Sequence, residues 1–213
     1  METRGLEKLV LRSSAWGVIA RRAILPWTLR VADLPPRAEA LEVGSGAGFT
    51  AEALLERFPG WRLTVTDHDP DMIELAQARL ARFGDRARVE RADAAALPYP
   101  DRSFDLVYAI LVWHHVERWE RATAEAARVL RPSGQLLLVD VVRPPFARRL
   151  GRRLPLHATY TLPDLEAALR AAGFARMRKA AGPLWYRVLA RSPSPGSPAT
   201  RTASPWPVAR DGP

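Results

Sequence analysis

The feature that most constrains this chain is a glycine-rich turn between an apolar run and a helical pattern, in the stretch ALEVGSGAGFTAEAL from Ala40 to Leu54. Three alternating glycines, Gly44, Gly46 and Gly48, follow the apolar residues. Glycine lets the backbone turn sharply and lets a ligand approach without a Cβ clash. The helix that follows points free N–H groups toward the same place. The stretch therefore predicts a strand, a tight turn and a helix N-terminus, which together suit a nucleotide-like ligand.

An alternation of strand and helix patterns continues from this turn to about residue 190. The predicted strands are 40–43, 62–66, 87–91, 104–110, 135–142, 174–180 and 184–190. The predicted helices are 4–30, 48–58, 70–82, 117–130 and 162–172. Strands that alternate with helices predict an α/β fold, a Rossmann-like doubly wound and mostly parallel sheet. The short Gly182-Pro183 turn between the last two strands predicts an antiparallel hairpin at the C-terminal edge.

Three segments of different composition follow from these patterns. Residues 1–37 are expected to form an amphipathic helical cap that Pro35-Pro36 closes, and residues 38–191 the ligand-binding domain. Residues 192–213 are rich in Pro and Ser and cannot bury a core, so a disordered tail is predicted there.

Composition limits which cellular compartments and which kinds of site are expected for this protein. The sequence has no cysteine, which excludes disulfides and thiolate metal sites, and no metal site is predicted. The start METRGLEKLVLR lacks the apolar region of a secretory signal. The longest apolar run, Leu106 to Trp113, is shorter than the about 20 residues that cross a bilayer. We therefore expect a cytoplasmic protein.

Polar residues follow several predicted strands, at the edge where open α/β sheets bind ligands. Asp67 comes 19 residues after Gly48, and its two carboxylate oxygens suit the vicinal hydroxyls of a ribose. Asp93 follows the third strand and is placed to accept a hydrogen bond from an adenine amino group. The alternatives are structural: an aspartate before Pro70 can cap the next helix, a role that Asp69 fits, and Asp93 can be an ordinary turn residue.

Two common nucleotide-binding patterns are excluded by the residues of the turn. The dinucleotide fingerprint Gly-x-Gly-x-x-Gly, counted from Gly44, requires its third glycine at the position of Phe49. No Gly-Lys-Ser/Thr follows, so a phosphate-gripping loop is also excluded. The turn therefore suits a ligand whose central part is a ribose rather than a pyrophosphate.

Over about residues 38–190 the chain resembles the class I S-adenosylmethionine-dependent methyltransferases. The resemblance is to their type 11, ubiquinone/menaquinone-methyltransferase-like branch. The stretches that carry it are LEVGSGAGF, VTDHDPDMIELA, RADAAALPYPDRSFDLVYA, HHV, EAARVLRPSGQLLLVD and LEAALRAAGF. One departure is Ser133, where the family usually has glycine.

The resemblance implies S-adenosylmethionine as the cofactor and, for it, the binding residues Glu42, Gly44, Gly46, Gly48, Asp67, Asp93, Ala94 and Ile110. The three glycines then pass the methionine and ribose parts of the cofactor. Asp67 takes the ribose-binding position, and Asp93 with Ala94 takes the adenine position. Glu42 organises the glycine turn, and Ile110 gives a backbone contact near the methionine end.

The implied reaction is in-line displacement at a sulfonium methyl group, for which alignment of the reactants supplies about 7–11 kcal/mol. A base is needed only where the acceptor arrives protonated. His114 and His115 follow the fourth predicted strand and are the candidate catalytic residues, with His114 preferred. The alternative is that one of them packs in the core or caps the next helix.

The acceptor is expected to be a small molecule, aromatic or lipid-like. The stretch AILVWHHV lacks the Asn/Asp-Pro-Pro-aromatic pattern of enzymes that methylate amines of nucleic-acid bases, so nucleic acid is disfavoured despite a net charge of +9. Trp16, Trp27 and Trp185 either line an apolar acceptor pocket or pack in the core. A nucleic-acid methyltransferase and a non-catalytic S-adenosylmethionine-binding regulatory protein remain as alternatives.

One basic cluster stands apart from these motifs. Within FARRLGRRL, the segment Arg148–Arg153 carries four arginines beside apolar residues. It suits contact with an anionic membrane surface or an acidic substrate, or it is a solvated helix face. The sequence does not indicate an oligomeric state.

Overall fold

The computed structural model describes residues 13–29, 34–141, 160–181 and 185–193. The first 12 residues of the expected cap, the Arg148–Arg153 cluster and residues 194–213 of the expected tail lie outside this part of the chain. Within the described residues, no helix combines the length and the apolar character that crossing a membrane requires.

A seven-stranded sheet is the frame of the protein, with strand order β3-β2-β1-β4-β5-β7-β6. The strands are β1 Arg37–Val43, β2 Gly60–Asp67, β3 Ala87–Arg91, β4 Phe104–Ile110, β5 Leu130–Val141, β6 Arg176–Ala181 and β7 Trp185–Arg191. Strands β1 to β5 pair in parallel, whereas β7 pairs antiparallel with both β5 and β6. The predicted α/β fold with an antiparallel C-terminal hairpin is confirmed.

Helices cover the sheet and connect its parallel strands. They are α1 Ser14–Ile19, α2 Leu25–Leu29, α3 Phe49–Arg57, α4 Pro70–Leu80, α5 Trp119–Val129 and α6 Leu162–Ala171. A π-helical turn, Ala20–Ile24, joins α1 to α2. Short 3₁₀ segments lie at Ala81–Arg86 and at Trp113–His115. Helical structure thus occupies residues 14–29, within the predicted helix 4–30.

The core consists of apolar clusters on the two faces of the sheet, because alternate residues of a strand point to opposite sides. Leu136 and Leu138 of β5 pack in the cluster that includes Ala122 of α5 and Leu165 of α6. Leu137 packs in the cluster on the other face, beneath α3 and α2. Fully buried strands of this kind hold their carboxyl ends at one rigid edge.

Two backbone hydrogen bonds extend the pairing at the end of β7. Ser192 N donates to Gly134 O at 2.9 Å, and Ser133 N donates to Pro193 O at 3.4 Å. The edge pairing of β7 with β5 thus continues through Pro193. Ser133 adopts a φ of 64°, in the left-handed region that glycine favours, so this turn accommodates serine where the resembling family usually has glycine.

Helix α4 begins with the cap that the sequence indicated. Asp69 occupies the N-cap with an extended backbone, and its side chain accepts a hydrogen bond from Asp71 N at 3.0 Å. Pro70 follows at the first helical position, where its missing N–H has no cost. Asp69 is therefore the capping residue, which leaves Asp67 to another role.

The buried Glu42 joins the strand before the glycine turn to the helix after it. Glu42 of β1 is 2% exposed, and its carboxylate accepts a hydrogen bond from the Thr50 hydroxyl in the first turn of α3. Its backbone carbonyl accepts from Thr66 Oγ1 of β2 at 2.8 Å. The carboxyl group of Glu42 also interacts with the buried hydroxyl of its cross-strand neighbour Tyr108. Burial raises the pKa of Glu42 to about 8, against the opposing effect of the Thr50 hydrogen bond.

Removal of the α4 cap is expected to destabilise the fold. Asp69→Ala leaves the first N–H groups of α4 without their side-chain acceptor, and we expect the free energy of unfolding to fall by about 1 kcal/mol. Urea unfolding followed by circular dichroism measures this change. Asp85→Ala, at an exposed position away from a helix start, is the matched control and is expected to change stability by less than about 0.5 kcal/mol. Equal losses in the two variants would contradict the capping role.

Glu42 is expected to make stability decline as the pH rises. The unfolded chain releases the Glu42 proton near pH 4.5, whereas the folded protein keeps it until about pH 8. The folded state therefore binds more protons in this window, and its stability falls as the pH rises through it. Glu42→Gln removes this component, so between pH 5 and pH 8 its stability relative to the wild type should rise by about 3–4 kcal/mol.

Urea unfolding of both proteins at several pH values measures the difference. Other groups titrate in both proteins and cancel when the two curves are subtracted. Parallel curves across this window would show that the Glu42 carboxyl is not held in its neutral form by the fold.

Candidate functional site

The glycine turn is held in a shape that larger residues would disturb. Gly44, Gly46 and Gly48 all have positive φ values, of 73°, 52° and 78°. A Cβ built on Gly44 would lie 2.4 Å from Cγ1 of Val112, and one on Gly48 would lie 3.2 Å from Cβ of Ala76. The turn is thus fixed by left-handed backbone geometry and by the close approach of neighbouring residues.

A cavity of about 330 Å³ opens at the carboxyl ends of the parallel strands, between the glycine turn, α4 and the segment after β4. Ala20 of the π-helical turn also borders it. The predicted site residues on its wall are Gly44, Gly46, Asp67, Asp93, Ala94, Ile110 and His115. The other predicted residues, Glu42, Gly48 and His114, are not on this wall. The structure therefore brings most of the predicted set to one cavity and gives the remainder supporting positions.

Asp67 joins the glycine turn to the start of α4. Its Oδ2 accepts a hydrogen bond from Gly46 N at 2.8 Å, and its Oδ1 accepts from Asp69 N at 2.9 Å. Burial raises the pKa of Asp67, opposed by these backbone N–H groups. Each carboxylate oxygen can accept a further hydrogen bond. A partly desolvated carboxylate with spare acceptor capacity favours a ligand that carries hydroxyl donors.

Both carboxylate oxygens of Asp93 have hydrogen-bond partners within the protein. Its Oδ1 accepts from Ala95 N at 2.8 Å, which forms a local turn, and its Oδ2 pairs with Arg118 Nη2 at 2.8 Å. Both side chains are substantially exposed, 43% for Asp93 and 56% for Arg118. The pair joins the loop after β3 to the start of α5 across the rim of the cavity. Sequence reasoning missed Arg118, because no local pattern distinguishes it from the other arginines.

The cavity wall fits the chemistry of S-adenosylmethionine. Asp67 offers acceptors for ribose hydroxyls, and the apolar side chains of Met72 and Val112 offer surfaces without polar groups. The turn leaves open space at Gly46, where a Cβ would meet no atom within 4 Å, whereas Val112 fills the corresponding space at Gly44. Leu111 at the cavity has a φ of 59°, and such strain in a non-glycine residue is found most often at functional sites.

The two histidines take different positions. His115 lies on the cavity wall, whereas His114 lies behind it, with its side chain 12% exposed. Their ring centroids are 3.8 Å apart, and the ring planes are tilted by 42°. His114 Nδ1 lies 2.5 Å from Oδ1 of Asp140, a buried residue near the end of β5.

Sequence reasoning missed Asp140. The signal that could have found it is a lone carboxylate at the end of the apolar run QLLLVD. The carboxyl end of a predicted parallel strand lies at the same edge as the other strand-end residues.

Two of the three tryptophans considered for an acceptor pocket lie in the described part of the chain with their side chains. Trp27 and Trp185 pack edge to face with ring centroids 4.5 Å apart, and neither lines the cavity. The side chain of Trp16 lies outside the described part of the chain. Among the described residues, no group of three histidine or carboxylate side chains is arranged to hold a metal ion.

The sequence of this chain is similar to those of known methyltransferases. Residues 41–138 match a family described as a methyltransferase domain. The chain is 35% identical over 128 residues to a demethylmenaquinone methyltransferase of Thermus thermophilus, which covers 58% of this chain and 57% of the relative. It is 30% identical over 150 residues to a malonyl-[acyl-carrier protein] O-methyltransferase of Methylococcus capsulatus, with 68% of this chain and 54% of the relative covered. The chain thus spans about half the length of the curated relatives it matches.

A solved structure agrees with the fold. The S-adenosylmethionine-dependent methyltransferase of Aquifex aeolicus superposes with a TM-score of 0.67 at 18% identity, over 89% of this chain and 99% of that one. At this identity the likeness concerns the architecture of the sheet and its helices. The sequence matches carry the rest of the assignment: residues 41–138 are a methyltransferase domain of the class I S-adenosylmethionine-dependent type, similar to the ubiquinone/menaquinone enzymes, and the cofactor of such a domain is S-adenosylmethionine.

Proposed function

We propose that this protein transfers the methyl group of S-adenosylmethionine to a small organic acceptor. The observation that supports this most directly is the single cavity that the glycine turn, the Asp67 carboxylate and His115 border together. In this proposal Asp67 binds the ribose, Asp93 and Ala94 contact the adenine, and the Gly44–Gly48 turn lies along the methionine and ribose parts. Ile110 lies at the methionine end, and Glu42 holds the turn from below.

The chain's own residues supply orientation and, where the acceptor needs it, a proton acceptor. Bound S-adenosylmethionine supplies an electrophilic methyl group whose leaving group is a neutral thioether. No general acid is therefore required, and positioning is the main task of the protein. His114 and His115 are the candidates for removing a proton from the acceptor, because they follow β4 at the edge where the cavity lies.

A small acceptor is supported by the residues after β4 and by the relatives. The segment from Ala109 to Val116 contains no proline, unlike the pattern found in enzymes that methylate bases of nucleic acids. The relatives act, by their names, on demethylmenaquinone and on a malonyl group carried by an acyl carrier protein. We infer an acceptor that presents a hydroxyl, a carboxyl or an activated aromatic carbon. A cytoplasmic location is part of this proposal.

The proposal is tested by supplying methyl-labelled S-adenosylmethionine with a panel of acceptors. The panel contains 1,4-naphthoquinols that lack a ring methyl group, catechols, free carboxylic acids, total RNA and duplex DNA. We expect label in an organic-extractable small molecule. Label in nucleic acid would overturn the proposal in favour of a nucleic-acid methyltransferase. Cofactor binding without transfer to any compound would favour a regulatory protein.

Gly44→Ala is the matched inactive variant for this assay. Its Cβ would meet Val112 at 2.4 Å on a backbone with a φ of 73°, so the turn must shift. We expect at least a tenfold loss of cofactor affinity and of methyl transfer, while Gly84→Ala, at an exposed positive-φ turn with open space around it, retains both. Equal activity of the Gly44 variant and the wild type would place the cofactor elsewhere.

Asp67 is expected to be the main polar determinant of cofactor affinity. Asp67→Ala should weaken S-adenosylmethionine binding tenfold or more, about 1.4 kcal/mol, because the ribose loses its charged acceptor. Asp67→Asn keeps one acceptor oxygen for Gly46 N, so its affinity for S-adenosylmethionine should lie between those of the wild type and Asp67→Ala. Isothermal titration calorimetry measures the affinities, with Asp85→Ala as the control. Unchanged affinity in Asp67→Ala would refute the assignment.

A further inference from the structure

A buried polar network lies directly behind the two histidines and is not part of the cofactor-binding set. Its centre is Asp140 near the end of β5, which is 1% exposed. The network extends through the Tyr160 hydroxyl, 3.3 Å from Asp140 Oδ2, to the Tyr186 hydroxyl, 2.9 Å from that of Tyr160. Buried polar groups on this scale are retained where they fix a geometry, because each must be fully hydrogen-bonded to be tolerated.

The donors around Asp140 determine its state. Val141 N donates to Oδ1 at 2.7 Å, and His114 N donates to Oδ2 at 3.0 Å. The Tyr160 hydroxyl also donates to Oδ2. Three N–H and O–H groups are thus directed at the two oxygens, which favours the acceptor-only form of the Asp140 side chain. Burial, and then the negative charge of Asp140, raise the pKa of Tyr160, which remains a donor.

The state of Asp140 fixes the state of the His114 ring. Because Asp140 is an acceptor only, the ring nitrogen 2.5 Å from its Oδ1 carries the hydrogen, so His114 is protonated at Nδ1. In the neutral ring Nε2 then holds the free lone pair. The ring lies against His115, which borders the cavity.

The tyrosines hold Asp140 from elements distant in sequence. Tyr160 comes two residues before α6 and packs on Trp119 at the start of α5, with ring centroids 4.7 Å apart. Tyr186 lies on β7 directly across from Asp140 in the antiparallel register. The carboxylate is therefore fixed from β5, β7 and the segment before α6 together, so a change in any one of them reaches the His114 ring.

We propose that Asp140 is a positioning residue that holds His114 with its proton on Nδ1, so that Nε2, on a ring packed against His115 of the cavity wall, receives the proton of the acceptor directly or through one bridging water, and that Tyr160 and Tyr186 hold Asp140 in turn. As the bond from the acceptor atom to the methyl carbon forms, the carbon–sulfur bond breaks and its electron pair stays on sulfur. The acceptor's proton passes to Nε2, and the Asp140 carboxylate balances the positive charge on the ring. This inference rests on the proposed methyl transfer to a small acceptor.

The proposal is tested on the full chain by nitrogen NMR of the histidine rings. Two-bond proton–nitrogen spectra of protein with ¹⁵N-labelled histidine distinguish a ring protonated at Nδ1 from one protonated at Nε2. The sequence has four histidines, so His114→Gln identifies the signal. In alkaline buffer we expect His114 to be the Nδ1–H form in the wild type, with the exposed His68 ring as internal reference.

Two variants separate positioning from general structural support. Asp140→Asn should shift the His114 ring toward the Nε2–H form and lower the rate of labelled methyl transfer at least tenfold, while cofactor affinity stays within about twofold. Tyr160→Phe removes one donor from Asp140 and preserves its packing, so we expect an intact fold and a loss of about fivefold in rate. Tyr99→Phe is the matched control, because Tyr99 donates to Glu90 at 2.5 Å and lies outside the cavity wall.

The outcomes are distinct. A wild-type His114 ring in the Nε2–H form, or an Nδ1–H form that persists in Asp140→Asn, would overturn the positioning role even if methyl transfer is observed. The expected tautomer in a protein that methylates none of the panel compounds would refute the proposed function, and with it the role of Nε2 as proton acceptor. Equal rate losses in Tyr160→Phe and Tyr99→Phe would also contradict the network.

Discussion

The site depends on one carboxylate that joins three pieces of backbone. Asp67 ends β2, and its two oxygens accept N–H groups from the glycine turn and from the cap of α4. The turn is held a second time, because Gly44 N and Ser45 N both donate to Thr66 O, at 2.8 and 2.9 Å. These bonds fix the distance between the turn and the strand end before any ligand arrives. Preorganised acceptors of this kind avoid the entropy cost of ordering a loop on binding.

The parallel sheet explains why residues distant in sequence meet in one cavity. Strands β1, β2, β3 and β4 all end at the same edge, so whatever follows each of them is delivered to the same place. Strand β5 adds Asp140 behind the histidines, and the antiparallel β7 brings Tyr186 to the same layer. The reversed final hairpin thus contributes a residue from the opposite end of a strand, which an entirely parallel sheet could not place there.

Local signals made half of the site predictable. The glycine turn and the Asp69-Pro70 cap depend on residues within a few positions along the chain, whereas Asp67 is predictable from the spacing of successive strand ends, because its partner Gly46 is 21 residues away. The partners of His114 and Asp93 are 26 and 25 residues away in sequence, and no local pattern announces such pairs. The same limit applies to the backbone: Leu111 at the cavity has a φ of 59°, a value that tertiary contacts impose on a residue that does not prefer it.

The residues that local sequence patterns predict and those that they miss belong to different parts of the candidate site. In the function we propose, the cofactor is bound by backbone groups and by acids at strand ends, which serve any acceptor and can be encoded in short motifs. The half behind the histidines is built from side chains of β4, β5, β7 and the segment before α6. A change of acceptor can therefore alter contacts beyond His114 without disturbing the turn. Because the leaving thioether needs no acid, the placement of one proton acceptor is the chemistry that this second half has left to supply.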